Sequence, residues 1–122
     1  MAHIINLKTF SEQRGNLTVI ESQIPFDIKR IFYIYGVDDS IRGGHRHKTT
    51  TQAAICINGS CIVSNNDGKS REDFLLNHPS KCLILETYDW HTMHNFSKDA
   101  VLLVFANTKF NPDDYWSKLK TP

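Results

Sequence analysis

Short apolar stretches, each closed by a turn signal, recur along the whole chain. Residues 3–8 read as a strand, Ser11 to Asn16 as a polar turn around Arg14-Gly15, and Leu17 to Glu21 as a returning strand. Ile24-Pro25-Phe26 breaks the pattern. Lys29 to Tyr35 then alternates, with Arg30, Phe32 and Ile34 on one face and Ile31, Tyr33 and Tyr35 on the other. Gly36 to Ser40 is a turn, and Arg42 to His47 and Gln52 to Asn58 are further strands. Asn58-Gly59 is a two-residue hairpin signal before Ser60 to Ser64, and Asn66-Asp67-Gly68 is a second hairpin turn before Arg71 to Leu76. Cys82 to Leu85, Trp90 to Phe96 and the continuous apolar run Ala100 to Ala106 complete the set. Asn111-Pro112-Asp113-Asp114 has the cap, proline and acids of a helix start, predicting a short helix over Tyr115 to Lys120.

About eight to ten short strands with regular turns and one terminal helix predict an all-β fold. A small jelly-roll barrel with a short C-terminal helix fits best, as a single domain over residues 1–122. Such a barrel has a mouth that holds one small ligand.

Composition narrows the partners. The chain of 122 residues is 40% hydrophobic, enough for one core. Fourteen basic against 13 acidic side chains leave a formal charge of +1, which gives no electrostatic footprint for nucleic acid or a membrane surface. No apolar run approaches the roughly 18 residues of a membrane span, and Met1 to Asn6 lacks a signal-peptide core, so a cytoplasmic protein is expected. Cys56, Cys61 and Cys82 are odd in number and sit in apolar runs without a C-x-x-C pair, the pattern of buried free thiols.

The candidate chemistry centres on Arg42-Gly43-Gly44-His45-Arg46-His47. Histidines at i and i+2 of a strand share a face, so both imidazoles enter one cavity, and imidazole titrates near neutrality. Arg42 supplies a planar cation for phosphate or developing oxygen charge, and Arg14 and Arg30 could grip a diphosphate bidentately. Trp90 packs the barrel or walls a sugar pocket. His91 and His94, three apart, face opposite ways, and His91 is the better site candidate. Gln52, five residues beyond His47, reaches the same cavity only if the chain turns around Thr49 to Thr51.

His45-x-His47, with Gln52 and Gly59 at the following intervals, resembles the first cupin motif, and His91-x-x-x-Asn95 the end of the second. Metal-binding cupins usually carry glutamate where Gln52 stands, and proline and glycine where Glu86 and Tyr88 stand. A closer resemblance covers nearly the whole chain. Arg14-Gly15-x-Leu17, Lys29 to Ile34, Arg42-Gly43-x-His45-x-His47, Ile57 to Ser60, Trp90-His91, Asn95-Phe96-Ser97 and Asp113-Asp114-Tyr115 look like the sugar 3,4-ketoisomerases. These are cupin-fold isomerases acting on dTDP-4-keto-6-deoxyglucose toward 3-amino-3,6-dideoxy sugars of the Fuc3N or Qui3N type, as in O-antigen or S-layer glycans. One departure is Glu86 to Asp89, where many members carry proline before the tryptophan.

The resemblance implies a homodimer that works without metal or redox cofactor. It implies His47 as base at C3 and His45 as the carrier between oxygens or to C4, the two roles being interchangeable on the sequence alone. It further implies Tyr33 as hydrogen-bond donor to the ketone or proton relay, and Arg42 as partner of the enediolate or the pyrophosphate. Two other readings stand beside it. One is a metal-dependent small cupin, oxygenase-like, using His45, His47, Gln52 and His91. The other is a sugar-nucleotide binding module without catalysis.

Overall fold

The computed structural model describes residues 2–116. In chain order the strands are β1 (His3–Asn6), β2 (Lys8–Glu12), β3 (Gly15–Val19), β4 (Arg30–Ile34), β5 (Arg42–His47) and β6 (Gln52–Asn58), followed by β7 (Cys61–Asn66), β8 (Arg71–Leu76), β9 (Lys81–Leu85), β10 (Trp90–His94), β11 (Val101–Ala106) and β12 (Tyr115–Trp116). They form two antiparallel five-stranded sheets, ordered β1-β9-β6-β11-β4 and β12-β5-β10-β7-β8, with β2-β3 as a separate hairpin. This is the expected all-β jelly roll. Among the described residues no helix is long and apolar enough to cross a membrane.

The core lies between the sheets. Ala54, Cys56, Leu83, Leu85, Leu102 and Val104 of the first sheet meet Cys61, Val63 and Leu76 of the second, with Phe32, Ile34 and Met93 closing its edge. A second cluster covers the outer face of the first sheet, where Ala53, Ile55, Cys82, Ile84 and Phe105 are buried under Leu7 and Ile24. This two-sided burial explains why β6 and β11 read as continuous apolar runs rather than alternating ones. The three cysteines are buried free thiols, as their settings predicted.

Three expected elements differ. The strand expected over residues 3–8 is broken at Leu7 into β1 and β2, and β2 runs on to Glu12 into the expected turn. Asn58-Gly59 does not turn a hairpin: β6 pairs with β9 and β11, β7 with β8 and β10, so this turn carries the chain from one sheet to the other. The terminal helix is also absent where it can be seen. Pro112–Asp114 makes a single 3-10 turn, capped by the Asn111 side chain, which accepts from Asp113 N–H at 3.0 Å. Tyr115 and Trp116 are extended and pair with His47 and Arg46. Partners on an edge strand override a local helix-start signal, and the rest of the expected helix, 117–120, lies outside the described residues.

Candidate active site

β5 and β10 build the floor of the site. His91 sits directly across the ladder from His45, and a bulge between His91 and Thr92 shifts the register so that Thr92 faces Gly43. Gly43 makes this possible. It has φ +83°, and a Cβ there would stand 2.9 Å from the His91 carbonyl oxygen. The imidazoles of His45, His47 and His91 therefore converge. Ring centroids are 5.1 Å apart for His45 and His47, 5.3 Å for His45 and His91, and 5.8 Å for His47 and His91.

A cavity of about 290 Å³ opens over this floor between the two sheets. His45, His91, Tyr115, Gln52, Arg30 and Arg42 give its polar wall, and Phe32, Val63, Leu85, Met93 and Val104 its apolar one. Gln52 reaches the cavity because the chain turns after His47 and re-enters in the opposite sheet, as the sequence required. His47 lies against the same cluster, only 2% exposed, with its ring 4.4 Å from that of Tyr115.

Asp114 braces His47 from behind. Its Oδ2 accepts from His47 Nδ1 at 3.1 Å and from the Thr50 hydroxyl, while Oδ1 accepts from the backbone N–H of Lys48 (3.1 Å) and from the N–H and hydroxyl of Thr49 (both 2.7 Å). Burial alone would raise this carboxyl. The hydrogen bonds from Thr50, Thr49 and His47 outweigh it and hold the group down at about 2, ionised throughout the working range. The imidazoles shift the other way from their ordinary value of 6.5. Burial, then the nearby rings of His45 and His47, pushes His91 down to about 3. Burial also lowers His45 and His47, the latter against the opposing pull of Asp114. Neutral imidazoles thus line the floor, and His47 Nε2 and both nitrogens of His91 are buried without a protein partner.

Several candidates from the sequence fall elsewhere. Tyr33 touches the cavity rim, but the alternation of β4 turns its ring outward with Ile31 and Tyr35; it is 61% exposed and stacks on Tyr35 at 5.8 Å. The tyrosine in contact with the imidazoles is Tyr115, which the sequence reading had placed in a helix. Arg14 stands at the tip of the β2-β3 hairpin, its side chain 88% exposed and paired with Glu12, away from the cavity. Trp90 points to the opposite face of β10 from His91, over Gly44, in a groove with Arg71 and Thr92. His94 shares that outer face and bonds Ser64 at 2.8 Å, as its spacing from His91 predicted. Asp114 stands in the sequence only as part of the Asp113-Asp114-Tyr115 resemblance and as a helix-start acid; nothing local ties it to His47, 67 residues away.

The ligand nitrogens of His45, His47 and His91 lie within 4.8 Å of one another, and the orphaned lone pairs among them suit a metal ion. Three neutral nitrogens with the Gln52 amide on the same wall would hold a borderline divalent ion, which would supply Lewis acidity to a substrate carbonyl. The same lone pairs cannot then act as bases.

These shifts set an acid limit on stability. His91 and its neighbours have folded values below the unfolded 6.5, so the unfolded chain takes up protons first as pH falls. Their contribution is complete above pH 6.5 and is lost as pH falls below it, down to about 3 for His91; that of Asp114 is lost between about 4 and 2. The unfolding free energy from urea titrations is expected to fall steadily from pH 7 to pH 4, by about 1.4 kcal/mol per pH unit for each proton by which the states differ. His91→Gln flattens that slope by about one proton; an equally steep profile in the variant would remove His91 as the cause.

Comparisons with known proteins agree with this geometry. Residues 1–121 match the family described as FdtA: WxcM-like, C-terminal. The chain is 39% identical over 115 residues to the TDP-4-oxo-6-deoxy-α-D-glucose-3,4-oxoisomerase of Aneurinibacillus thermoaerophilus, covering 92% of this chain and 83% of that one. The structure of WlaRA, a TDP-fucose-3,4-ketoisomerase from Campylobacter jejuni, superposes with a TM-score of 0.88 at 39% identity over 96% of this chain and 89% of its own. The QdtA 3,4-ketoisomerase of Thermoanaerobacterium thermosaccharolyticum, a histidine-to-asparagine mutant solved with TDP-4-keto-6-deoxyglucose, gives a TM-score of 0.92 at 37% identity, covering 96% and 87%. The fold, the histidine floor and these relatives converge: the chain belongs to the FdtA, or WxcM-like, family of sugar 3,4-ketoisomerases.

Proposed function

We propose that the protein converts dTDP-4-keto-6-deoxyglucose into its 3-keto-6-deoxy isomer, a step toward 3-amino-3,6-dideoxy sugars of the Fuc3N or Qui3N type. The observation that carries this is a cluster of neutral imidazoles in which His45 and His91 line a sugar-sized cavity and His47, its Nε2 unpartnered, packs directly against them. The C3 proton is acidified by the ketone at C4, so a base of near-neutral strength removes it and leaves an enediolate. A proton is then delivered to C4, and the O3 proton is passed to O4. No electrons leave the substrate.

His47 is the base in this reading, because its ring alone has one nitrogen fixed by a carboxylate and the other bare. His45, on the cavity wall, carries the proton between oxygens. Tyr115 takes the donor role expected of Tyr33, since its ring lies against both histidines, 4.8 Å from His45. Arg42 and Arg30 serve the enediolate or the diphosphate, with Arg30 braced over Phe32 and Phe110 at 4.6 and 5.2 Å.

The test is proton NMR of chelator-treated protein mixed with dTDP-4-keto-6-deoxyglucose. The 3-keto isomer is expected at a rate proportional to enzyme and unchanged by chelation. Loss of turnover on chelation, restored by one metal per chain, would favour the metal-dependent reading of the same three histidines. We also propose a homodimer, supported by the exposed apolar row of Ile31 and Tyr33 on edge strand β4 and Tyr35 just beyond it, and checkable by solution mass. Three free thiols suit a cytoplasmic setting, which fractionation would test.

A further inference from the structure

We propose that Asp114 is a positioning residue for the isomerisation: it holds His47 with the proton on Nδ1 and the lone pair on Nε2, and sets a fixed negative charge behind the ring that becomes positive. The inference rests on His47 as base in the reading above.

The tautomer follows from donor and acceptor arithmetic. An ionised carboxylate only accepts, so the contact between His47 Nδ1 and Asp114 Oδ2 requires an N–H on Nδ1. The carboxylate is itself fixed on both oxygens. Lys48 N–H, Thr49 N–H and the Thr49 hydroxyl hold Oδ1, and the Thr50 hydroxyl shares Oδ2 with His47. Thr50 has one proton and spends it on Asp114, so in its 2.7 Å contact with Thr108 it accepts from the Thr108 hydroxyl. A row of oriented hydroxyls therefore ends on the carboxylate, which cannot rotate to offer His47 another geometry. These donors come from the loop directly after β5, and Asp114 comes from the turn directly before β12, so pairing of Tyr115 with His47 brings both sides into register.

In the reaction the C3–H bond breaks, its electron pair enters the enediolate, and the proton forms a bond to Nε2. His47 then carries a proton on each nitrogen and a positive charge. Asp114 lies opposite that charge at 3.1 Å, within a buried setting where such a pair is stronger than in water. The groups facing His47 besides Asp114 are His45, His91 and Tyr115, with Arg30 adding an opposing charge.

The experiment compares the full-length protein with Asp114→Asn. The amide can turn its NH₂ toward Nδ1 and drive the proton to Nε2, leaving no base toward the substrate. In kinetics with dTDP-4-keto-6-deoxyglucose, kcat is expected to fall roughly 10²- to 10⁴-fold, the range for a misoriented catalytic imidazole, with KM within about threefold. A folded variant with kcat within threefold of wild type overturns the proposal, and so does a loss confined to KM. Nitrogen-15 NMR of the histidine rings gives a second readout that needs neither turnover nor the variant. His47 of the wild-type protein is expected as the Nδ1–H tautomer, and finding it as Nε2–H overturns the proposal even if Asp114→Asn fails to fold. A wild-type protein inactive on this sugar would strike the isomerase reading instead, with the tautomer still measurable.

Discussion

Replacing His47 by asparagine is expected to lower kcat by about 10³- to 10⁴-fold, the upper part of the range for removing a positioned general base. Asparagine is close in reach, and its amide can still donate to Asp114 Oδ2, so the loop and the C-terminal turn stay tied together. What disappears is the lone pair of Nε2, and an amide has no basicity near neutral pH to replace it. Binding of dTDP should change little, within about threefold by calorimetry, because the diphosphate contacts proposed above are the arginines of the wall and not His47. The companion variant His45→Asn discriminates between the two rings. If His45 were the base at C3, it would carry the larger loss and His47→Asn would retain turnover within about tenfold. His91 is the weaker candidate base: burial holds it down at about 3, and its ring stacks on that of His47 at 5.8 Å.

How much of this site could be read beforehand depended on the range of the interaction involved. The shared face of His45 and His47 needs only the period of a strand, and the opposite aim of His91 and His94 needs only the same rule. Gln52 could be placed conditionally, since the required turn was visible as a chain reversal though not its destination. Arg14 and Trp90 were assigned by residue type, and type does not say which side of a strand meets the cavity. Tyr33 borders the cavity with its ring turned outward, and the same limit applies to it. The face it shares with Ile31 and Tyr35 was legible, but which face of β4 is inward is decided by the partner sheet. Asp113-Asp114-Tyr115 was visible as a motif, but the contact of Asp114 and Tyr115 with the histidines was beyond local reasoning, because an N-cap, a proline and acids look alike at the start of a helix and in a single 3-10 turn. Only the pairing of β12 with β5, across more than sixty residues, makes them part of the site.

The turn at Gly59 shows the same limit in the fold, and it carries the largest stability effect expected. Asn-Gly favours a tight turn wherever it occurs, yet nothing local states whether the strands on either side pair. Here they do not, and the turn must pass the chain between sheets while fitting under the connection before β11. A Cβ on Gly59 would stand 2.2 Å from Ser97 Oγ, 2.7 Å from Asp99 Oδ1 and 2.9 Å from Ala100 Cα. The first two atoms belong to side chains, but moving them breaks bonds that hold the turn: Ser97 Oγ donates to Asp99 Oδ1 and accepts from Ser60 N–H at 2.9 Å. The third is backbone and cannot yield without displacing β11. The residue also has φ +70°, where a side chain adds about 1 to 2 kcal/mol of strain. Gly59→Ala is therefore expected to destabilise the protein by about 3 kcal/mol or more, lowering Tm by about 10 °C in a chain of this size. Gly68, at φ +93° with nothing within 4 Å of a Cβ, supplies the control: Gly68→Ala carries only the backbone strain. Equal Tm losses in the two variants would mean that the close approach at Gly59 contributes nothing, and that the crossover tolerates a side chain as readily as an open hairpin does.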